Sequence, residues 1–283
     1  MEKIWMLCWA ISLVLLAMAC SSGESDEYID RMDKEHEGDR PVANAATQSE
    51  NPDRIAVSGE EVPYATVNGK EITGYLSTPD GAAEGGPALI VIHEWWGLND
   101  NIRMMTDKLA GEGYTALAVD LYKGKVAESP DSAGTYARSV NEDEALDNLD
   151  QAYRYLTGQQ GAEKVGTIGW CFGGGWSLQT ALAMPEAIDA TVIYYGRLVT
   201  DAGELSTLDM PVLGIFGAED NGIPPEEVKT FEGALEEAGV TNDIHIYEGA
   251  GHAFANPSGT RYNAEAAEDA WQKTVDFLAE YLK

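Results

Sequence analysis

From about residue 60 onward, short continuous apolar runs alternate with segments in which apolar residues recur every three or four positions. Runs of the first kind are typical of strands buried on both faces, and segments of the second kind are typical of amphipathic helices. The predicted strands are Val62–Val67, Glu71–Ser77, Ala88–Ile92, Thr115–Val119, Val165–Ile168, Ala190–Tyr195, Val212–Phe216 and Ile244–Tyr247. The predicted helices are Asn101–Gly111, Glu142–Thr157, Trp176–Ala183, Glu226–Ala238 and Ala264–Leu282.

The order of these elements predicts an α/β domain. The first two strands flank Asn68-Gly69, a hairpin signal, and are expected to pair antiparallel. Strands that then alternate with helices indicate a mostly parallel central sheet of about eight strands with helices on both faces. Because the composition does not change after residue 60, we expect residues 59–283 to form one domain.

The first residues have a different pattern. Lys3 precedes an apolar run over residues 4–19 that is short for a membrane span and ends in small residues, as in a signal peptide covering residues 1–19. Cys20, followed by Ser21-Ser22-Gly23, resembles the lipobox of bacterial lipoproteins. The resemblance implies a lipidated Cys20 at the mature N-terminus of a periplasmic or outer-membrane-anchored lipoprotein. The alternative is an ordinary cleaved signal peptide.

Residues 20–58 are rich in Asp and Glu and contain few large apolar residues. This composition predicts a disordered acidic tether, and His36 within it receives no role. The whole chain has 18 basic and 48 acidic residues, a formal charge of −30. Such a charge argues against nucleic acid and anionic lipid as partners. We therefore expect membrane contact only through the anchor, and a monomer.

Three cysteines occur in the chain. Cys8 would leave with the signal peptide and Cys20 would carry lipid, so Cys171 remains as the only thiol of the mature domain and no internal disulfide is expected. A single cysteine of this kind is either an inert buried residue or a reactive one, and its sequence context decides.

Cys171 lies in Gly169-Trp170-Cys171-Phe172-Gly173, between a predicted strand and a predicted helix. This is the context of a nucleophile elbow, in which the flanking glycines leave room for a sharp turn. The N-terminus of the following helix favours a thiolate, and the N–H of Phe172 is a candidate oxyanion donor. The alternative is a tight turn that only buries a cysteine.

Candidate partners for Cys171 follow in the chain order nucleophile, acid, histidine that is typical of α/β-hydrolases. His252 lies in a loop past the last strand, whereas His245 lies within that strand and is expected to pack there. Asp220 follows the strand that ends at Phe216 and is the candidate acid, since it would fix the tautomer of His252.

From about residue 62 to the end, the sequence resembles the dienelactone hydrolase family. The matching segments are His93-Glu94-Trp95-Trp96-Gly97-Leu98-Asn99, Asp120-Leu121-Tyr122, Gly169-Trp170-Cys171-Phe172-Gly173-Gly174, Asp220 and Gly251-His252-Ala253-Phe254. The resemblance implies an α/β-hydrolase fold with a cysteine nucleophile. It also implies that Glu94 contacts the resting thiol and that Trp95 supplies a second oxyanion N–H.

The substrate is less well specified. Family members that act on dienelactone hold its carboxylate with arginines after the Asp-Leu-Tyr and His-x-Phe segments. Here those regions read Lys123-Gly124-Lys125 and Ala255-Asn256, so Lys123, Lys125, Arg138 or Arg261 would have to substitute. The candidate pocket residues are Trp96, Tyr122, Trp170, Phe254, Asn256 and Lys123.

The sequence thus predicts a hydrolase that cleaves a small ester or lactone through Cys171, His252 and Asp220. Neither a metal nor an organic cofactor is implied, because ligand spacings and a dinucleotide fingerprint are absent from the sequence. The alternatives are a binding lipoprotein that keeps the fold without the chemistry, and a thioesterase or peptidase on the same scaffold.

The lipid anchor is tested by Cys20→Ala. This variant should move from the membrane fraction to the soluble fraction of cells, because it lacks the thiol that would be acylated. Labelled palmitate should be incorporated into the wild type alone. A variant that still sediments with membranes, or an unlabelled wild type, would contradict the lipobox.

Overall fold

The computed structural model describes residues 27–39, 55–81 and 85–283. Helix α1 covers residues 27–35. The strands are β1 (Val57–Val67), β2 (Lys70–Pro79), β3 (Ala88–Ile92), β4 (Thr115–Val119), β5 (Val165–Trp170), β6 (Ala190–Tyr194), β7 (Val212–Gly217) and β8 (Asn242–Tyr247). The other helices are α2 (Asp100–Gly111), α3 (Pro130–Arg138), α4 (Glu142–Gly158), α5 (Phe172–Ala183), α6 (Ala202–Leu205), α7 (Pro225–Ala238) and α8 (Ala264–Leu282).

Within these ranges the strands form one eight-stranded sheet in the order β1-β2-β4-β3-β5-β6-β7-β8. The β1–β2 and β2–β4 pairs are antiparallel and all later pairs are parallel. The predicted mostly parallel α/β sheet is therefore confirmed. The parallel strands from β3 to β8 end at one edge, which is where open α/β sheets carry their sites.

Burial explains the continuous apolar runs. Every residue of β3, β5, β6 and β7 is buried, whereas β8 at the edge of the sheet is mostly half-buried. Strands covered on both faces cannot alternate apolar and polar residues, so the apolar stretches of the sequence mark the centre of the sheet.

Besides α1, two helices were not expected from the apolar pattern. Helix α3 carries its own start signal, because Ser129 caps its first turn reciprocally with Ser132 and Pro130 occupies the first helical position. Helix α6 has only four residues, too few for an apolar period. Helix α5 begins at Phe172, four residues before the predicted start, because its glycine-rich first turn gives no apolar period.

The N-terminal region departs from prediction. Residues 27–39 are not a disordered tether: Tyr28, Ile29, Met32 and His36 are at most 5% exposed and lie at helical spacing. The opposite side of α1 forms ion pairs with the domain, in which Asp30 and Asp33 contact Arg138 at 2.6 and 2.7 Å. The apolar residues of α1 form a single stripe that packs against the core. The acidic composition of the segment gave no indication of this stripe.

The predicted signal peptide, the lipidated Cys20 and the rest of the predicted tether up to residue 54 lie outside the described residues. Among the residues that the structure does describe, no helix is long and apolar enough to cross a membrane.

Close backbone approach fixes the turn between β5 and α5. A Cβ on Gly169 would lie 2.1 Å from the carbonyl oxygen of Gly173, and a Cβ on Gly173 would lie 2.2 Å from that of Ile92. Backbone atoms at such distances cannot be avoided by a side-chain rotation. The loop after β3 and the start of α5 therefore meet without room for side chains.

Gly169→Ala should lower the free energy of unfolding by at least about 2 kcal/mol, the range expected of overpacking. The matched control is Gly233→Ala, at an exposed helical position where a Cβ meets nothing within 4 Å. That variant should gain about 0.5–1 kcal/mol from helix propensity. Urea unfolding of both variants measures the difference, and equal effects would contradict the packing described for the turn.

Candidate active site

Cys171 stands between β5 and α5 with a strained backbone. Its φ of 54° and ψ of −118° lie outside the regions that residues with a side chain readily adopt. The conformation is held by a hydrogen bond from the Cys171 N–H to the Tyr194 carbonyl at 3.0 Å, and by one from the Gly174 N–H to the Cys171 carbonyl, also at 3.0 Å. Strain of this kind persists only where the surroundings impose it, and it is concentrated at functional sites.

His252 and Asp220 form a fully buried pair in the loops after β8 and β7. The Nδ1 of His252 lies 2.8 Å from Oδ2 of Asp220, and neither side chain is exposed. Oδ1 of Asp220 accepts hydrogen bonds from the N–H groups of Gly222 and Ile223, at 2.8 and 2.9 Å. Asp220 therefore holds the proton of His252 on Nδ1 and leaves Nε2 free.

The Nε2 atom of His252 is buried and has no hydrogen-bond partner in the described part of the chain. A ring nitrogen of His252 lies within 4.8 Å of the Sγ of Cys171. Because Nδ1 is engaged by Asp220, the nitrogen available to the thiol is Nε2. The loop after β8 thus places an imidazole nitrogen near the strained cysteine.

The thiol and the imidazole shift each other's ionisation. Burial opposes the thiolate, but the charges and hydrogen bonds of His252 and His36 together outweigh it and lower the pKa of Cys171 to about 5. Burial also disfavours the imidazolium, yet the charges of Asp220 and Cys171 raise the pKa of His252 well above its ordinary value. At neutral pH the resting site therefore holds a thiolate beside an imidazolium.

Glu94 is buried near this pair. Its Oε2 accepts a hydrogen bond from Nδ2 of Asn256 at 2.7 Å. Burial, followed by the charge of Cys171, raises the pKa of Glu94 to about 8, so that this carboxyl carries a proton at neutral pH. A neutral acid here avoids repulsion with the thiolate.

The candidate oxyanion donors lie at the same junction. Phe172 is the first residue of α5, so its N–H has no acceptor within the helix. The carbonyls of Ile92 and His93 abut Gly173, which brings the loop that carries Trp95 against the start of α5. The N–H groups of Phe172 and Trp95 thus belong to two segments that meet beside Cys171.

The model of the dienelactone hydrolase family matches residues 72–282. The chain belongs to this family. It is 35% identical over 229 residues to Protein usf of Aquifex pyrophilus, a match that covers 76% of this chain and 96% of that one. It is 33% identical to an Aquifex aeolicus protein named as a carboxymethylenebutenolidase, with the same coverage. A solved structure named as a dienelactone hydrolase, from Klebsiella pneumoniae, superimposes with a TM-score of 0.72 at 29% identity, covering 80% of this chain and all of that one.

Some of the predicted pocket residues lie near the thiol. Trp96 and Asn256 line a cavity of about 340 Å³ beside the site. Tyr122 is buried between the rings of His93 and Phe172, with centroids at 4.6 and 5.4 Å. These three residues are therefore placed around the start of α5 or at the mouth of the site.

Three other predicted pocket residues pack in the core or face another cavity. Trp170 is a core side chain against Tyr194, and Phe254 packs against Tyr195. Lys123 forms an ion pair with Glu144 and lines a different cavity, of about 330 Å³. Lys123 therefore does not line the cavity beside the thiol, since its loop folds back onto α4.

Of the four cations considered as carboxylate partners, Arg261 is the one that lines the cavity beside the thiol. Lys123 is paired with Glu144, Arg138 with Asp30 and Asp33, and Lys125 lies over the ring of Tyr136. Arg261 also donates to the carbonyl of His252 at 3.0 Å.

His36 is the site residue that sequence reasoning missed. Its Nε2 lies 4.0 Å from the Sγ of Cys171, and its ring stacks on Trp95 with centroids 4.3 Å apart. His36 lines the 340 Å³ cavity, whereas Cys171 does not, so the imidazole stands between the cavity and the thiol. The signal that could have found it is the apolar stripe of Tyr28, Ile29 and Met32, which reaches His36 at the next helical step.

The ionisation of Cys171 is tested by alkylation with iodoacetamide as a function of pH, read by peptide mass mapping. The wild type should be labelled with a midpoint near pH 5, since the thiolate persists above its lowered pKa. His252→Ala should shift the midpoint upward, because the stabilising charge is lost. His245→Ala is the matched control and should leave the midpoint in place. A wild-type midpoint near that of an ordinary thiol, about 8.5, would contradict the ion pair.

Proposed function

We propose that this protein hydrolyses a small ester or lactone by nucleophilic catalysis at Cys171, with His252 as the acid and base and Asp220 as its partner. The observation that carries the proposal is the buried 2.8 Å contact between His252 and Asp220, which turns the free Nε2 of His252 toward a cysteine in a strained turn. Membership of the dienelactone hydrolase family also supports hydrolysis of an ester or lactone bond.

The first half of the reaction makes a thioester. The Cys171 thiolate attacks the substrate carbonyl carbon, an S–C bond forms, and the oxyanion is held by the N–H groups of Phe172 and Trp95. Collapse of this intermediate breaks the C–O bond. His252 gives its Nε2 proton to the departing oxygen, which leaves as an alcohol or, from a lactone, as the freed hydroxyl end of the acyl chain.

The second half releases the acid. His252, now neutral, takes a proton from water as the water attacks the thioester carbon. The S–C bond breaks, the carboxylic acid leaves, and the thiolate and imidazolium are restored. Asp220 is ionised in the resting pair, because the charge and hydrogen bond of His252 and the N–H groups of Ile223 and Gly222 together lower its pKa more than burial raises it.

Glu94 and Arg261 have supporting roles in this proposal. Glu94, held by Asn256, keeps a neutral carboxyl beside the thiolate at rest. Arg261 lines the cavity beside the site and is the cation best placed to contact a carboxylate on the substrate. The guanidinium of Arg261 contacts the carboxylate of Asp39 at 2.6 Å. A substrate carboxylate therefore has to displace Asp39 to bind there.

The proposed setting is that of an exported bacterial lipoprotein anchored through Cys20. It rests on the apolar run and small residues of the first twenty positions and on Ser21-Ser22-Gly23. In that setting the catalytic domain acts outside the cytoplasm as a monomer. A non-catalytic binding protein and a thioesterase or peptidase are the competing functions.

The test is a panel of aryl esters, lactones, acyl thioesters and short peptides, measured with a metal chelator present. The wild type should give a burst with an aryl ester and turn over esters or lactones. Cys171→Ala should abolish turnover, and His252→Ala should lower kcat at least about 100-fold, in line with general-base contributions. Glu94→Gln should have a smaller effect.

His245→Ala is the control, because His245 lies on the edge strand with Asp243 and away from the site. Full activity in Cys171→Ala would contradict the mechanism. Turnover confined to thioesters or peptides would assign the competing enzyme class. Binding of an aromatic ester without turnover, equal in wild type and variants, would assign the binding protein.

A further inference from the structure

Three soft donor atoms converge at one buried point. The Sγ of Cys171 and ring nitrogens of His36 and His252 all lie within 4.8 Å of one another, and all three residues are buried. Two donors come from the catalytic domain and the third from the segment after α1. We propose that these residues form a zinc site, in which His36, Cys171 and His252 are the protein ligands of one Zn²⁺ ion.

The orientation of both imidazoles supports the assignment. Zinc-binding histidines generally donate the other ring N–H to a carboxylate or carbonyl, which fixes the tautomer that can ligate. Asp220 lies 2.8 Å from Nδ1 of His252, and Asp39 lies 2.8 Å from Nδ1 of His36. Each carboxylate can thus hold the proton on Nδ1 and direct a free Nε2 toward the thiol.

The Nε2 of His252 is the ring nitrogen that faces the thiol. It is fully buried and without a hydrogen-bond partner in the described ranges. In the metal-free site this nitrogen belongs to the ion pair with the Cys171 thiolate, and a metal ion bound between the two atoms would take the place of that contact.

Arg261 also touches His36, and metal binding would change this contact. Nη2 of Arg261 lies 2.8 Å from Nδ1 of His36 and 2.6 Å from Oδ2 of Asp39. Because a guanidinium only donates, this contact uses Nδ1 of His36 as the acceptor. A metal on Nε2 would move the proton to Nδ1, so that Nδ1 donates to Asp39 and Arg261 keeps only its bond to the carboxylate. Asp39 thereby links the cation and the histidine.

The distances and donor types fit zinc. Zn²⁺ binds thiolate at about 2.3 Å and imidazole nitrogen at about 2.0–2.1 Å, with tetrahedral geometry. Nitrogen and sulfur ligands at these lengths lie about 3.5 Å apart. The 4.0 Å between Nε2 of His36 and Sγ of Cys171 has to shorten by about half an ångström, and no pair of the three donor atoms has to close from more than 4.8 Å. One thiolate with two imidazoles favours zinc over hard cations such as Mg²⁺ or Ca²⁺. The fourth position is left for water.

Such a site would keep the enzyme idle. Zinc on Sγ removes the nucleophile's lone pair, and zinc on Nε2 of His252 removes the base. The same ion ties residues 27–39 to the catalytic domain through His36. Removal of the metal would free the thiol and release the ring that separates it from the 340 Å³ cavity.

The direct test is zinc binding to the full chain by isothermal titration calorimetry, with Co²⁺ substitution as a spectroscopic readout. We expect one ion per chain and a thiolate-to-Co²⁺ charge-transfer band. His36→Ala should weaken zinc binding at least about tenfold, since even outer contacts of a metal site are worth about 10–100-fold. Cys171→Ala should remove the band.

Two controls isolate the site. His245→Ala removes a histidine from the edge strand and should leave zinc affinity unchanged. Cys20→Ala should keep the band, which separates the thiolate of Cys171 from that of Cys20. Circular dichroism of His36→Ala, matching that of the wild type, would show that its loss of affinity is not a loss of fold.

The inference is overturned if the full chain binds no stoichiometric zinc, if His36→Ala binds zinc as tightly as the wild type, or if the band survives in Cys171→Ala. Hydrolysis with chelator present is a separate measurement. Turnover without zinc binding would contradict the zinc site and support the proposed hydrolase. Zinc binding without turnover would support the zinc site and contradict the proposed hydrolase.

Discussion

The turn between β5 and α5 is the constraint on which the site depends. Cys171 can adopt its positive φ there only because the backbone of Gly169 lies against Gly173 and that of Gly173 against Ile92. The turn aims the thiol at the edge where the parallel strands end. The loops after β7 and β8 then need only short excursions to bring Asp220 and His252 to it. The packing of backbone atoms in this turn thus determines where the thiol, the imidazole and the carboxylate can meet.

Burial makes these few charges effective. The imidazole of His252 is enclosed with one carboxylate and one thiol, so it is stabilised as a cation although burial alone would neutralise it. Glu94 lies nearby and remains neutral, because burial raises its pKa and the neighbouring thiolate raises it further. The chain carries a formal charge of −30, yet the ionisation of the site is governed by near neighbours that water does not screen.

Much of the fold and part of the site could be predicted from the sequence. Buried parallel strands give continuous apolar runs, and the motif around Cys171 marks its own turn, so the sheet and the positions of Cys171, His252 and Asp220 followed from local pattern. The pocket residues were harder to predict, because the sequence does not show which way the side chain of a tryptophan such as Trp170 or a lysine such as Lys123 points. In the structure, Trp170 packs in the core and Lys123 forms an ion pair with Glu144.

Residues 27–39 could not have been placed from composition. Their acidic side chains dominate any average over the segment, while the packing depends on four positions at helical spacing that end at His36. The distance in sequence between His36 and Cys171, 135 residues, also hides their proximity. Short helices held by tertiary contacts leave weak local signals, because most helix stability comes from the packed face.

The most direct measurement of the central claim is intact mass spectrometry of the protein quenched with acid during turnover of an aryl acetate. The account predicts an acetyl adduct that maps to Cys171, decays as free acid appears and is absent from Cys171→Ala. Turnover of the ester with no adduct on Cys171, or with the adduct on another residue, would contradict it.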